Sequence, residues 1–492
     1  MTVRSAFGFL TLMTIATSGF SQIKDYQYKF NVKGAKDKDT IYLANYYGKQ
    51  LYYNDTAVAD KAGNFTFKKK REIHPGQFAV VLPGSKYFEI IVNEPTFTMK
   101  TDTSDFVNTM VVEGSVENKI FYDYIAFINK KKDEVQPARE QFEKAEGEKA
   151  KEPFRKKMVT IDEEVKAYQK KIASENKNLL VGQIVSLSLD IDVPDAPKKA
   201  DGTIDSTWKY YYYRDHYFDK IDLKNDGVSH TPAFHNEIDK YFSKIVLQNP
   251  DTICMVARKL TDKMNPKGDM LKYTVTHVTD TYNKSNIMGM DAVFVCMADE
   301  YYLSGRAFWA DTARIAKIRE RAHDLRPILL GKTAHPLSLA DTTHQNWLKL
   351  NDIKNDYTVL VFWDPDCGHC KKEIPKLAEI YNKTKGKDFG VYSVSSDDGE
   401  KWKKFIIENK LTFPNVCVPH EIRQDQDALF KLISSGKTDL KSLNYHDTFD
   451  VFSTPKVFIL DKDKKIIAKQ IGVEQLEDLL KQIREGEAKK KA

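Results

Sequence analysis

The chain has 492 residues, 41% hydrophobic and 30% charged, which suits about three packed domains and excludes wholesale disorder. Its 23 Gly and 17 Pro exclude a collagen-like or linker-dominated chain, and five cysteines over this length exclude a disulfide-stapled scaffold. The 76 basic and 70 acidic residues leave a net charge of +6, too balanced for a nucleic-acid binder, which needs a concentrated basic face.

Residues 1–21 read as an export signal. Arg4 supplies a short positive start, and Ala6 to Ala16 is apolar, with Phe7, Phe9, Leu10, Leu12 and Ile15. Gly19-Phe20-Ser21 places small residues at the positions a signal peptidase reads, so cleavage is expected before Gln22. The apolar stretch is shorter than the ~20 residues a membrane span needs. No cysteine adjoins the cleavage site, which argues against a lipid anchor, and no later segment is apolar enough to span. The mature chain is therefore expected to be soluble and exported, where disulfides persist.

Residues 22–113 alternate at short range. Lys29–Val32, Thr40–Leu43, Asn64–Phe67, Gln77–Leu82 and Phe88–Val92 read as strands, with turns at Gly63-Asn64 and Pro83-Gly84. Strands without intervening helices predict a β-sandwich-like domain. No catalytic constellation occurs in it.

Residues 114–326 change to helical spacing and predict an all-α domain. Ile120, Tyr124, Phe127 and Ile128 share one face, as do Phe154, Met158, Ile161, Val165 and Tyr168. Pro194 and Pro197 mark a loop. Tyr210 to Tyr213, with Tyr217-Phe218, predicts a helix core with a partly exposed aromatic rim, an aromatic binding surface for a client chain or glycan being the alternative. Met288–Leu303 and Thr312–Leu325 read as closing helices. Cys254 and Cys296 are expected as buried small side chains; a disulfide between neighbouring helices is the other reading, and sequence does not supply the Cα separation it demands. His216, His230 and His235 lack paired-ligand spacing, so no metal site is expected.

Residues 327–486 alternate strands and helices, an α/β pattern, and a short basic tail of 487–492 follows. Thr358–Trp363 reads as a buried strand, and Cys367-Gly368-His369-Cys370 lies where it gives way to a helix. The unpaired N–H groups and positive partial charge of a helix start stabilise a thiolate, so Cys367 should ionise readily. Cys370, one turn on, can attack a mixed disulfide held on Cys367 and release the partner. Zinc would need two more ligands, and Cys417 with His420 makes an incomplete set. A purely structural bridge is disfavoured because so short a loop gains little chain entropy. Gly368 lets the turn form, and a protonated His369 would favour the Cys367 thiolate.

The stretch Phe362-Trp363-Asp-Pro-Asp-Cys367-Gly-His-Cys370-Lys-Lys-Glu373-Ile-Pro375 resembles the thioredoxin-fold active site, and more closely the TlpA/ResA branch of exported bacterial thiol–disulfide oxidoreductases. Gly331–Ala334 with Leu337–Leu339 resembles the lead-in strand of that branch, and Ser453-Thr454-Pro455 its cis-proline loop. The resemblance implies Cys367 as attacking thiol, Cys370 as resolving thiol and Glu373 as the acid that assists proton transfer. It also implies Gly368, His369, Trp363, Thr454 and Pro455 as residues that tune the pair or line a client groove. It implies no metal or organic cofactor. The implied partners are client proteins with thiols or disulfides and an upstream redox protein, a membrane-embedded one included; nucleic acid is not among them. The implied location is the periplasm. The sequence departs from the disulfide isomerases at Val361, six residues before Cys367, where those proteins carry a buried acid. An insert from about Glu421 to Asp450 reads as a lid or partner site, or else as a surface helix and loop. Val111 to Asn118, and His216–Ile221 through Ile287–Ala292, resemble modules that precede this domain in exported Bacteroidota-type proteins. The functional expectation is a reductase or isomerase of client disulfides, the alternative being a client- or envelope-binding adaptor in which the β-rich and helical modules dominate. A peroxidase is disfavoured, since peroxiredoxins need Thr or Ser and Arg around a single attacking cysteine.

Overall fold

The computed structural model describes residues 23–384 and 386–491, so the expected signal segment lies outside the described residues. These residues form two compact units: one up to Val246 plus Lys259–Thr274, the other Leu247–Arg258 plus Val275 onward. The helical stretch 114–326 contributes to both. No described helix is long and apolar enough to cross a membrane.

The first unit opens with eight strands: β1 (Tyr26–Lys33), β2 (Thr40–Tyr47), β3 (Gln50–Val58), β4 (Asn64–Lys69), β5 (Gly76–Val81), β6 (Tyr87–Val92), β7 (Thr96–Asp102) and β8 (Val111–Glu113). They form two four-stranded sheets, ordered β4-β1-β7-β8 and β3-β2-β5-β6. Inward residues alternate along β1, β4 and β7, as period-2 side-chain geometry demands. Phe30 of β1 meets Phe88 of β6 across the sandwich at 5.8 Å and Phe65 of β4 at 5.2 Å. The β-sandwich expectation therefore holds, with β3, β7 and β8 added to the expected strands.

Helix Val116–Lys144 follows, capped by Ser115, whose hydroxyl accepts the Asn118 N–H at 3.0 Å. The Asn118 side chain accepts from the Ile91 N–H and donates to the Ile91 carbonyl. It thereby occupies the open edge of β6, where unpaired backbone groups would otherwise invite another strand. Helix Glu148–Glu175 folds back on the first, with Phe127 and Tyr168 at 4.1 Å. The aromatic run forms helix Trp208–His216; Tyr217 and Phe218 beyond it are buried, while Tyr210 and Tyr211 remain at the surface. That matches a core with an aromatic rim.

The second unit is built on a seven-stranded sheet. Its strands are β9 (Ser338–Ala340), β10 (Trp347–Lys349), β11 (Thr358–Trp363), β12 (Gly390–Ser395), β13 (Asn415–Cys417), β14 (Lys456–Leu460) and β15 (Ile466–Lys469), in the order β10-β9-β13-β12-β11-β14-β15. β11 is parallel to β12 and antiparallel to β14. Its six residues are all buried, which explains their unbroken apolar run. One face carries Trp363, Ile374, Leu377, Trp402 and Leu476. On the other, Tyr445 stacks on Phe362 at 5.3 Å, with Phe449 beside it at 5.1 Å. The later half of the insert is thus a layer of the fold, not a lid: Thr438 donates to the Ser338 carbonyl, and Tyr445 and Phe449 are core residues.

Helices before the sheet belong to the same unit. Lys469 of β15 pairs with Asp291 and donates to the Ile328 carbonyl at 2.7 Å, and Arg321 pairs with Asp450. Buried charges persist only when so partnered. Cys254 and Cys296 form a disulfide, with Cα atoms 6.4 Å apart, inside the range a bridge requires. This corrects the expectation of two separate buried thiols. The cause is non-local: a span of 42 residues brings two helices together.

Candidate active site

β11 ends at Trp363 and delivers the chain to a turn in which the Cys367 N–H donates to the Asp364 carbonyl at 3.2 Å. The helix Cys370–Lys383 follows, and the Lys371 N–H bonds the Cys367 carbonyl at 3.0 Å. Cys367 therefore sits just before the first helical turn, with Pro375 inside the helix. Gly368 and His369 are exposed, Cys367 is half-buried and Cys370 is fully buried. One sulfur meets solvent and the other lies behind it.

The two thiols are driven in opposite directions. Burial pushes Cys367 up, but hydrogen bonds from the Cys370 backbone N–H, Thr454, the Cys370 thiol and the His369 backbone outweigh it, and the net shift is downward. These backbone donors are the unpaired N–H groups that a helix start supplies. Cys370 is pushed up to about 11, first by burial. Its neighbours are apolar: Trp363, Ile374, Leu377 and Val361 share its core cluster. With Val361 wholly buried, no carboxylate sits six residues before Cys367.

The facing wall is the loop before β14. Thr454–Pro455 is a cis peptide, and the Cys367 thiol donates to the Thr454 carbonyl at 3.3 Å. Arg321 and Lys456 hold Asp450 at the base of this loop, the Lys456–Asp450 separation being 3.1 Å. Phe452, beside Ser453 in the same loop, is 80% exposed. An aromatic in a loop segment gave no periodic signal, so the sequence did not mark it.

Trp363 does not line a surface groove: it is fully buried, donates its indole N–H to Ser393 Oγ at 2.7 Å, packs on Phe405 at 4.9 Å and shares the core cluster of Cys370. The Glu373 carboxylate accepts the Val473 N–H at 2.9 Å and faces Lys376 at 3.4 Å. Cys417 is buried in β13 with its sulfur 3.7 Å from His344 Nε2.

A readily ionised outer thiol backed by a reluctant inner one, on this α/β sheet, defines the class: a thioredoxin-fold protein that performs thiol–disulfide exchange. Comparison with known proteins agrees. Residues 330–469 match the AhpC/TSA family, and residues 26–121 match a domain of unknown function, DUF4369. The chain is 30% identical to the thiol-disulfide oxidoreductase ResA of Bacillus cereus over 164 residues, which cover 32% of this chain and 82% of that protein. A domain of a possible thiol-disulfide isomerase from Cytophaga hutchinsonii is 37% identical, covering 33% of this chain and 99% of that one, with a TM-score of 0.27. A thioredoxin-like protein from Bacteroides caccae is 17% identical over 59% of this chain and 98% of its own, with a TM-score of 0.41. The chain belongs to the ResA/TlpA-like thiol–disulfide oxidoreductases, preceded here by a β-rich DUF4369 module.

Proposed function

We propose that the chain is a periplasmic reductase or isomerase of client protein disulfides, acting through Cys367-Gly-His-Cys370. The observation that carries this reading is the contrast between the two sulfurs, the outer one lowered and the inner one raised. The Cys367 thiolate attacks a client disulfide. The Cys367–client S–S bond forms and one client thiolate leaves. Cys370 then loses its proton and attacks Cys367 Sγ. The second client thiol is released, and the Cys367–Cys370 disulfide holds the oxidising equivalent until an upstream dithiol protein reduces it. In isomerisation the first client thiolate instead attacks another disulfide of the client; the thiolate so released attacks the client sulfur of the mixed disulfide, forming a new client disulfide with Cys367 as the leaving thiolate, and the pair ends reduced.

Glu373, one turn beyond Cys370, is the proposed proton acceptor for the resolving step, in the absence of an acid at position 361. His369 is proposed to tune the thiolate, and Gly368, Thr454 and Pro455 to shape the client groove. The Cys254–Cys296 disulfide supports an oxidising compartment, since such bridges are rare in reducing ones.

Equilibration of the Cys367–Cys370 pair with defined thiol–disulfide buffers tests the direction of exchange. A potential between about −270 and −180 mV, the span from thioredoxin to disulfide isomerase, is expected. A value near about −120 mV, that of a strong oxidant, would overturn the reading.

A further inference from the structure

Within the first unit, three side chains from distant segments converge. His74 lies in the loop before β5, His230 ends the 3-10 helix Asp226–His230, and Asp269 begins the helix Asp269–Asn283. Asp269 Oδ2 is 3.3 Å from His74 Nδ1 and 3.1 Å from His230 Nε2, and all three atoms lie within 4.8 Å of one another. The imidazole rings stack at 5.5 Å. Gly76 permits this approach: a Cβ there would stand 2.6 Å from the His230 Cβ.

Tetrahedral zinc, with bonds of about 2.0–2.1 Å to nitrogen and oxygen, spaces its ligand atoms roughly 3.3 Å apart. The two Asp269–imidazole separations match that edge. Two imidazoles and one carboxylate also suit a divalent transition metal better than calcium or magnesium, which take oxygen. The side-chain exposures, 50% for His74, 23% for Asp269 and 10% for His230, grade from solvent inward. The adjacent Asp226 is turned away, accepting from the Met270 N–H and facing the Asn265 amide.

We propose that His74, His230 and Asp269 bind one Zn2+ or similar divalent ion, tying the β5 loop to the 3-10 helix and the helix start. This site is independent of the cysteine pair. The test uses the full chain, stripped with chelator and held with Cys367–Cys370 oxidised so that those thiols cannot ligate. Calorimetric titration with Zn2+ alone is expected to give one ion per chain, with a higher melting temperature. His74→Ala, at a half-exposed position, and Asp269→Asn, nearly isosteric, should each keep the wild-type circular dichroism. Each should weaken binding by more than about tenfold, since even outer-shell changes at metal sites act on that scale. Absence of stoichiometric uptake, or binding unchanged in either folded variant, would overturn the proposal.

Discussion

At the scale of single residues the chemistry rests on a division of labour between two sulfurs. Cys367 faces solvent with backbone N–H groups aimed at it; Cys370 is enclosed by apolar side chains. Because the shift at Cys367 is downward, its thiolate exists at lower pH than that of an ordinary thiol. Alkylation of the reduced protein should accordingly show Cys367 reacting with a midpoint below the usual thiol range and Cys370 staying inert until about pH 11, read by mass spectrometry across a pH series. Glu373→Gln should leave the Cys367 midpoint in place and slow release of client from the mixed disulfide; an unchanged release rate would remove Glu373 from the proton path. The pair was legible in the sequence because its parts lie within four residues at a strand end. The burial of Trp363 and the exposure of Phe452 were not, since both are settled by packing. The convergence of His74, His230 and Asp269 leaves no spacing to read at all.

At the scale of elements, sequence pattern and structure agree where one face is buried. Thr358–Trp363 was readable to the residue, because a central strand needs continuous apolar character. β3 escaped because it is an edge strand whose tyrosines Tyr52 and Tyr53 face water, which blurs the alternation. β7 was within reach: Phe97, Met99 and Thr101 alternate inward. The insert illustrates tertiary control, its later half being a packed layer. Phe449→Ala should therefore cost about 3–5 kcal/mol, the usual loss for a buried aromatic, seen as a lower denaturant midpoint. Phe430→Ala, in the exposed early half, should change stability by less than about 0.5 kcal/mol. Equal effects would mean that the two halves of the insert do not differ in packing.

At the scale of the whole molecule, a thiol–disulfide unit is joined in one chain to a β-rich unit, and the thiol-bearing unit carries a disulfide of its own. Cys254 and Cys296 close a span of 42 residues, for which chain entropy gives about 4 kcal/mol. Cys254→Ser with Cys296→Ser should lower the unfolding free energy by up to about that amount while leaving exchange at Cys367 intact. Loss of exchange together with stability would instead tie the bridge to the active pair. The domain architecture was legible as a sequence of patterns, strands then helices then alternation, but the disulfide and the division of the helices between two units depend on long-range packing. The most direct test of thiol exchange is trapping. Cys370→Ser, expressed in cells that export it, should accumulate partners bound to Cys367 as mixed disulfides that reductant releases, and Cys367→Ser should hold none. Recovery of the same partners from both variants, under reducing conditions as well, would contradict exchange through Cys367 and point to a binding adaptor.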